Sequence, residues 1–361
     1  MIPMKIYTIT IHCIHNFGSV FQSYALVRYL CNKGYDARII DYRPAYYSKG
    51  RNAFKNFMSR TLNVFSYSRQ HNKYQCFIDK ELPKTDRVYK SIDDLRCFEN
   101  ENAVFIAGGD QLWNTFHPCG RDDAYKLTFS KKGFKIASGT SMGRNTFSEE
   151  ELKALAEKVS DFYFIGLRES STVEILQPYT KVPVYHTSDP VLLLEKKDYM
   201  GFVGNEPLIK QPYVLVYLAS NKQLLNESVS YIAKSLGLKV VHANGFKKKC
   251  DCDYFLKSSG PKDLLNLIYY ADFVVSASFH ATLFSLLFEK QFGTLLPEAG
   301  TNTRIEDLLN FFGLSQRIIN GDSYKKLATQ GIDYSVVTPK LQHFSEQSRQ
   351  QLNDAINGYK Q

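Results

Sequence analysis

The feature that most limits what this chain can fold into is a repeated alternation of short apolar runs with helical segments, each strand-like run ending in polar residues or glycine. Lys5 to His12 reads as a strand, Cys13 to Phe17 as a loop, and Gly18-Ser19 as the opening of the helical run VFQSYALVRYL, with Asp36 to Asp41 as the next strand. A strand, helix, strand unit calls for a parallel sheet covered by helices. Ala103 to Gly109, Lys135 to Ser141, Phe162 to Leu167 and Val182 to Tyr185 continue the series, and Ser170 or Ser171 can cap the helix TVEILQPY. Glu195 to Pro212 mixes charge, Gly and Pro without a period and reads as a linker. A second series then begins. Its strands are Tyr213 to Ala219, Lys239 to Ala243, Ala271 to Ser278 and Phe292 to Leu296. Its helices are Gln223 to Leu236, Pro261 to Tyr270, Thr282 to Glu289 and Thr303 to Phe312, the last stopped by Gly313.

With 361 residues there is enough chain for two such domains, each with its own core. The expected fold class is α/β, with two Rossmann-like domains facing a cleft. Residues 1–200 form the first domain, 213–335 the second, and 336–361 a C-terminal helix running from Pro339 to Asn357. The longest apolar run, Phe273 to Phe288, is interrupted by Ser276, Ser278, His280, Thr282 and Ser285 and is too short to span a bilayer. MIPMKIYTITIH alternates like a strand and lacks the pattern of a signal peptide, so a cytoplasmic location is expected. Seven scattered cysteines suit reduced thiols better than a disulfide framework. Cys250 and Cys252 form a CxC pair, but His242 alone does not complete a metal site, and no metal is expected.

The net charge of +9 is concentrated: Arg43 to Lys90 holds eleven Lys and Arg against Asp79, Glu81 and Asp86. Within this 43–90 insertion, Phe54, Phe57, Met58, Leu62 and Phe65 recur at helical spacing, with Arg51, Lys55 and Arg60 on the other side. Such a basic amphipathic helix suits an anionic membrane surface, although an ordinary packed helix has the same pattern.

Open α/β sheets bind ligands beyond the carboxyl ends of their strands, where helix N-termini favour anions. His280 follows the strand ADFVVSAS and precedes a helix, so a phosphate there could meet imidazole and backbone N–H together. Asp110 and Asn114 in GGDQLWN occupy the equivalent place in the first half, with Gly108-Gly109 allowing a ligand to approach the backbone. An aspartate there can orient a hydroxyl or act as a base. Trp113 can stack on a sugar or fill the core, the second being the commoner role. Arg168, at a strand end, is a candidate anion clamp, or else an ion-pair partner of Glu169. Asn16, Gly18, Ser19 and Gln22 line the first strand-to-helix turn. No GxGxxG, Walker A or GxSxG motif is present.

Taken together, HNFGSVFQSYAL, GGDQLWN, IASGTSMG, GLRESSTVEIL, SDPVLLL, GPKDLLNLIYYADFVVSASFHATLFSLLF and TNTRIEDLLNFFGL resemble the polysaccharide pyruvyl transferase family, over about Lys5 to Leu314. The resemblance implies an architecture like that of GT-B glycosyltransferases. It implies transfer of a pyruvyl group from phosphoenolpyruvate to a sugar, giving a cyclic ketal and phosphate, with phosphoenolpyruvate as co-substrate and no further cofactor. His280 matches the family's catalytic histidine and would be the general acid, with Asp110 handling the acceptor hydroxyls. Arg168, Arg304, Ser278 and Thr282 fall on the donor side; Asn16, Gly18, Gln22 and Asn114 fall on the acceptor side. Another branch has arginine where this chain has Ser278, and Arg304 is taken as its replacement. The expected partners are phosphoenolpyruvate, a lipid-linked sugar and an anionic membrane, with no nucleic acid. A GT-B glycosyltransferase using a nucleotide sugar and a non-catalytic carbohydrate-binding relative are the alternatives.

Overall fold

The computed structural model describes residues 4–48, 64–218, 222–245, 247–296 and 303–360. Most of the amphipathic segment read at Asn52 to Phe65 lies outside them. The chain divides into two compact units, Met1–Arg51 with Phe77–Leu194 and His343–Gln361, and Asn52–Cys76 with Glu195–Gln342. Two helices, Val64–Glu81 and Tyr334–Asn357, contribute residues to both. The first unit thus reclaims the chain terminus: Ser188 N donates to Ser348 Oγ at 2.8 Å, and Tyr29 OH to Asn353 Oδ1 at 3.0 Å.

In the first unit, β1 (Lys5–Ile9), β2 (Asp36–Ile39), β3 (Val104–Gly108), β4 (Phe134–Thr140), β5 (Phe162–Leu167) and β6 (Val184–His186) form one sheet in the order β2-β1-β3-β4-β5-β6. Every neighbouring pair is parallel. A parallel sheet is covered on both faces, which is why β3 (VFIAG) has no polar side chain and is buried throughout. The second unit holds β7 (Tyr213–Tyr217), β8 (Lys239–Ala243), β9 (Tyr254–Leu256), β10 (Phe273–Ser276), β11 (Gln291–Leu295) and β12 (Ile318–Ile319), in the order β12-β11-β10-β7-β8-β9, again all parallel. The two expected parallel-sheet α/β domains are present. β9 and β12 are too short to stand out in the sequence.

Several helix boundaries differ from the sequence reading. The C-terminal helix starts at Tyr334, five residues before the expected Pro339, which lies inside it. The expected linker contains the helix Lys196–Val203, which buries Tyr199 and Val203 and is started by Asp198, whose carboxylate accepts from Glu195 N at 2.8 Å. Asn266 then fixes the following turn by donating to Val203 O and Glu206 O and accepting from Leu208 N. The helix after β5 begins at Ser170, with Glu169 at the cap, so neither serine caps it. The helix after β10 is Phe279–Leu287 and starts three residues before the expected Thr282, because Ser278 caps it.

The helix Phe17–Asn32 is buried on nearly every side, including Gly18, Ser19 and Gln22 in its first turns. It lies so close to the end of β3 that a Cβ at Gly108 would fall 2.4 Å from Leu26 Cδ2, and one at Gly109 would fall 1.7 Å from Gln22 Oε1. Gly109 also has φ +69°, a region that L side chains rarely enter. The pair therefore admits a helix of the same unit, where the sequence suggested a ligand. Gly109→Ala is expected to lose about 1–3 kcal/mol through overpacking and backbone strain. Urea unfolding of the variant measures it.

Candidate active-site residues at the strand ends

In the first sheet the chain steps from β1 to β2 on one side and then crosses to β3 on the other, so the switch point lies between β1 and β3. The expected residues meet there. Asn16 caps the helix Phe17–Asn32, its side chain accepting from Ser19 N at 3.1 Å, and it is exposed. Ser19 Oγ donates to Asp110 Oδ2 at 2.6 Å, and Gln111 N donates to Asp110 Oδ1 at 2.9 Å. Asp110 is half-buried and sits at φ +42°, a left-handed conformation that aspartate tolerates better than most residues. Its carboxylate is thus held at the crevice by a strained turn and by the first turn of the neighbouring helix.

Other expected ligand-binding residues are drawn inside the unit. Gln22 is fully buried and donates through Nε2 to Thr10 Oγ1 at 2.7 Å and to Ser19 O at 2.9 Å, tying the helix to the end of β1. Asn114, also buried, donates to Gln111 Oε1 at 2.7 Å and accepts from Phe116 N at 3.1 Å, closing its own turn. Gly18 is enclosed in its helix. Arg168, read as an anion clamp, is an internal strut: Nε donates to Glu169 at 3.2 Å and Nη1 to Asp189 at 2.6 Å, and all three side chains are buried. Burial opposes its charge, but Glu169, Asp189 and Asp110 outweigh that and raise its pKa above the ordinary value. Trp113 is buried, with Nε1 donating to Tyr125 O at 3.0 Å.

The sequence reading passed over one cluster at the ends of β1 and β2. His12 Nε2 pairs with Asp41 Oδ1 at 2.9 Å, and Arg43 Nη2 donates to Asp41 Oδ2 at 2.9 Å. His12 and Asp41 are buried, whereas Arg43 is partly exposed. Burial pushes the Asp41 carboxyl up, but the hydrogen bonds from His12 and Arg43 outweigh it and bring it down to about 2. The strand-end rule that picked out Asp110 would have found these residues if applied to β1 and β2.

In the second sheet the order reverses between β7 and β10, and His280 follows β10. It is the second residue of the helix Phe279–Leu287, inside the first turn and not ahead of it, and it is 5% exposed. Ser278 Oγ accepts from Ala281 N at 3.3 Å, so Ser278 starts the helix that carries His280. The Thr282 hydroxyl is turned inward, 3.1 Å from both Ser278 O and Thr294 Oγ1. The Phe279 ring lies edge-on to His280, with centroids 5.2 Å apart, and the Arg304 guanidinium lies 5.9 Å from the Phe279 centroid. Packing therefore brings Arg304, 24 residues downstream, to the ring beside His280. Among the described residues no group of three or more His, Cys, Asp and Glu is placed to hold a metal ion.

Residues 16–296 match the family model of polysaccharide pyruvyl transferase, most of the chain's length. The chain belongs to this family. The matched span contains Asp110, Arg168, Ser278, His280 and Thr282 and stops short of Arg304. Membership makes a sugar acceptor and a pyruvyl donor the implied substrates and transferase chemistry the implied activity. No curated protein matches in sequence. Solved structures are similar in fold at low identity. UDP-N-acetylglucosamine 2-epimerase from Rickettsia bellii has a TM-score of 0.53 at 12% identity, covering 99% of this chain and 97% of that one. UDP-GlcNAc 2-epimerase from Methanocaldococcus jannaschii, in complex with UDP-GlcNAc and UDP, has 0.54 at 12%, covering 97% and 99%. Trehalose-6-phosphate synthase OtsA has 0.53 at 9%, covering 99% of each chain. The expected GT-B type of architecture is borne out by the fold of these epimerases and this synthase. Among the described residues no helix is long and apolar enough to cross a membrane.

The Asp41 cluster carries a pH prediction. Because the folded carboxyl titrates below its ordinary value of 3.8, its stabilisation is complete above about pH 4 and is lost as pH falls through about 2. Asp41→Asn is expected to be less stable than the parent at pH 6, with the gap narrowing toward pH 2. Urea midpoints across that range measure it, and a gap independent of pH overturns the assignment.

Proposed function

We propose that this member of the family transfers the pyruvyl group of phosphoenolpyruvate to two hydroxyls of one sugar in a lipid-linked polysaccharide precursor, forming a cyclic ketal and releasing phosphate. The observation that carries the reading is the grouping of His280, Phe279 and Arg304 at the β10 end of a switch point, at the start of a helix. An anionic donor suits a helix N-terminus and a guanidinium. The donor is assigned to the second unit and the acceptor to the first, where Asp110 and Asn16 stand at the strand ends.

His280 gives a proton to the methylene carbon of phosphoenolpyruvate, which makes C2 electrophilic. One sugar hydroxyl attacks C2, oriented by Asp110, and gives up its proton. The bond from C2 to the phosphate oxygen then breaks, and the second hydroxyl closes the ring. Of the two hydroxyl protons, one balances the proton delivered to the new methyl group and the other leaves with phosphate. A basic 43–90 segment and a location at the inner face of a cell membrane suit a lipid-linked acceptor.

The test is incubation with phosphoenolpyruvate and candidate lipid-linked sugars, following phosphate release and the mass gain of a pyruvyl ketal. The parent is expected to show both. His280→Ala is expected to lose at least about 100-fold in rate with an unchanged far-ultraviolet circular dichroism spectrum. Near-normal phosphate release by that variant overturns the role of His280. Turnover of a nucleotide sugar with release of nucleoside diphosphate, and no phosphate from phosphoenolpyruvate, overturns the reaction itself.

A further inference from the structure

The first unit contains a cavity of about 220 Å³ away from the strand-end cluster. None of Asn16, Ser19, Gln22 and Asp110 lines it. One wall is the helix Glu149–Lys158, and Leu155, Trp113, Met142 and Phe147 give the cavity a mainly apolar lining. For scale, an apolar protein cavity of about 150 Å³ takes benzene. This one has room for a ring and a short arm.

Its polar lining is unevenly charged. At one place stands Glu151, whose carboxylate is already occupied by Arg144, by Thr115 Oγ1 at 2.7 Å and by Ser148 N at 3.0 Å. Seven residues further along the helix, about 10 Å away at helical rise, stands Lys158, with Lys126 and Arg121 also lining the cavity. Lys126 is 4% exposed and donates to Gly120 O at 2.9 Å, and burial lowers its pKa. Lys126 and Lys158 share one carboxylate, Asp123, at 3.5 and 2.6 Å. Asp122 lies nearby, but one of its oxygens accepts from the Tyr42 and Tyr46 hydroxyls and the other from Ala124 N, and it does not line the cavity. Arg121 is exposed and has no carboxylate partner among the described residues. Cations are therefore in excess at one end of an apolar slot.

We propose that this cavity binds a small amphipathic anion, with one aromatic or branched aliphatic body between Trp113 and Leu155 and one acidic head at Arg121, Lys126 and Lys158. The apolar body gains by leaving water, and the head meets three cations, of which Lys126 and Lys158 share the single carboxylate of Asp123. The site is separate from pyruvyl transfer and stands whether or not that reading holds.

Trp113 is the chain's only tryptophan and lines the cavity, so its emission reports on occupancy directly. The probe is (4-nitrophenyl)acetic acid as its carboxylate, a contact quencher, with uncharged 2-(4-nitrophenyl)ethanol as the matched control. The carboxylate is expected to quench Trp113 saturably and at least tenfold more tightly than the alcohol. Arg121→Ala combined with Lys158→Ala is expected to raise its Kd at least tenfold while leaving the alcohol unaffected. Ala154→Phe, at an exposed position lining the cavity, is expected to abolish saturable quenching by both with the fold intact. Equal affinity for acid and alcohol, or a Kd unmoved by loss of the two cations, overturns the anion site. Saturable quenching unchanged in Ala154→Phe overturns the cavity as its location.

Discussion

The first unit depends on how closely the helix Phe17–Asn32 approaches the end of β3, since that contact sets the spacing at the β1/β3 switch point. Residues 108 and 109 leave no Cβ in the way, so Gln22 can reach the end of β1 while Ser19 reaches Asp110. A side chain at either glycine would push the helix outward and lengthen the Ser19–Asp110 bond of 2.6 Å. Packing distance and the placement of the Asp110 carboxylate are thus one constraint, because interiors are close-packed and pass displacements on.

The second unit reaches the same kind of arrangement by a different local device. There a serine cap starts the helix immediately after β10 and brings His280 into its first turn, and aromatic packing carries Arg304 alongside. Arg304 belongs to a different helix, Thr303–Phe312. The cost of a buried polar group without a partner explains why so many strand-end residues turn inward. Gln22, Asn114, Arg168 and Thr282 each find partners inside their own unit.

Two buried arginines show what burial does to a cation under different conditions. Arg168 lies between Glu169 and Asp189, and its pKa is raised despite desolvation. Arg317 is buried against carbonyls, donating to Phe292 O and Gln330 O at 2.7 Å each, and burial brings it down to about 10. Both pin segments to a sheet, and neither offers its charge to an incoming anion as openly as the partly exposed Arg43 or the exposed Arg121.

Most of the order of elements was legible because the longer strands carry their own apolar runs and the longer helices their own period and stop signal. By contrast, β9, β12 and the helix Lys196–Val203 lack a signal of that strength. Pro261–Tyr270 and Thr303–Phe312 fall where the pattern places them, and the family was readable from several ordered motifs. These are local properties, fixed by side-chain identity within a dozen residues. The sequence also placed Asp110 and His280 at strand ends, since a strand that stops in polar residues declares its end. It could not tell which strand-end residues would stay accessible, because accessibility depends on neighbours far away in the chain. Arg168 looked like a clamp until Asp189, 21 residues on, was seen to take its guanidinium. Asp41 looked like the end of a strand until His12 reached it from the neighbouring one. Sheet order, the partners of buried charges and the cavity beside Trp113 were decided only by tertiary structure, because each is made by segments that packing brings together and not by proximity in sequence.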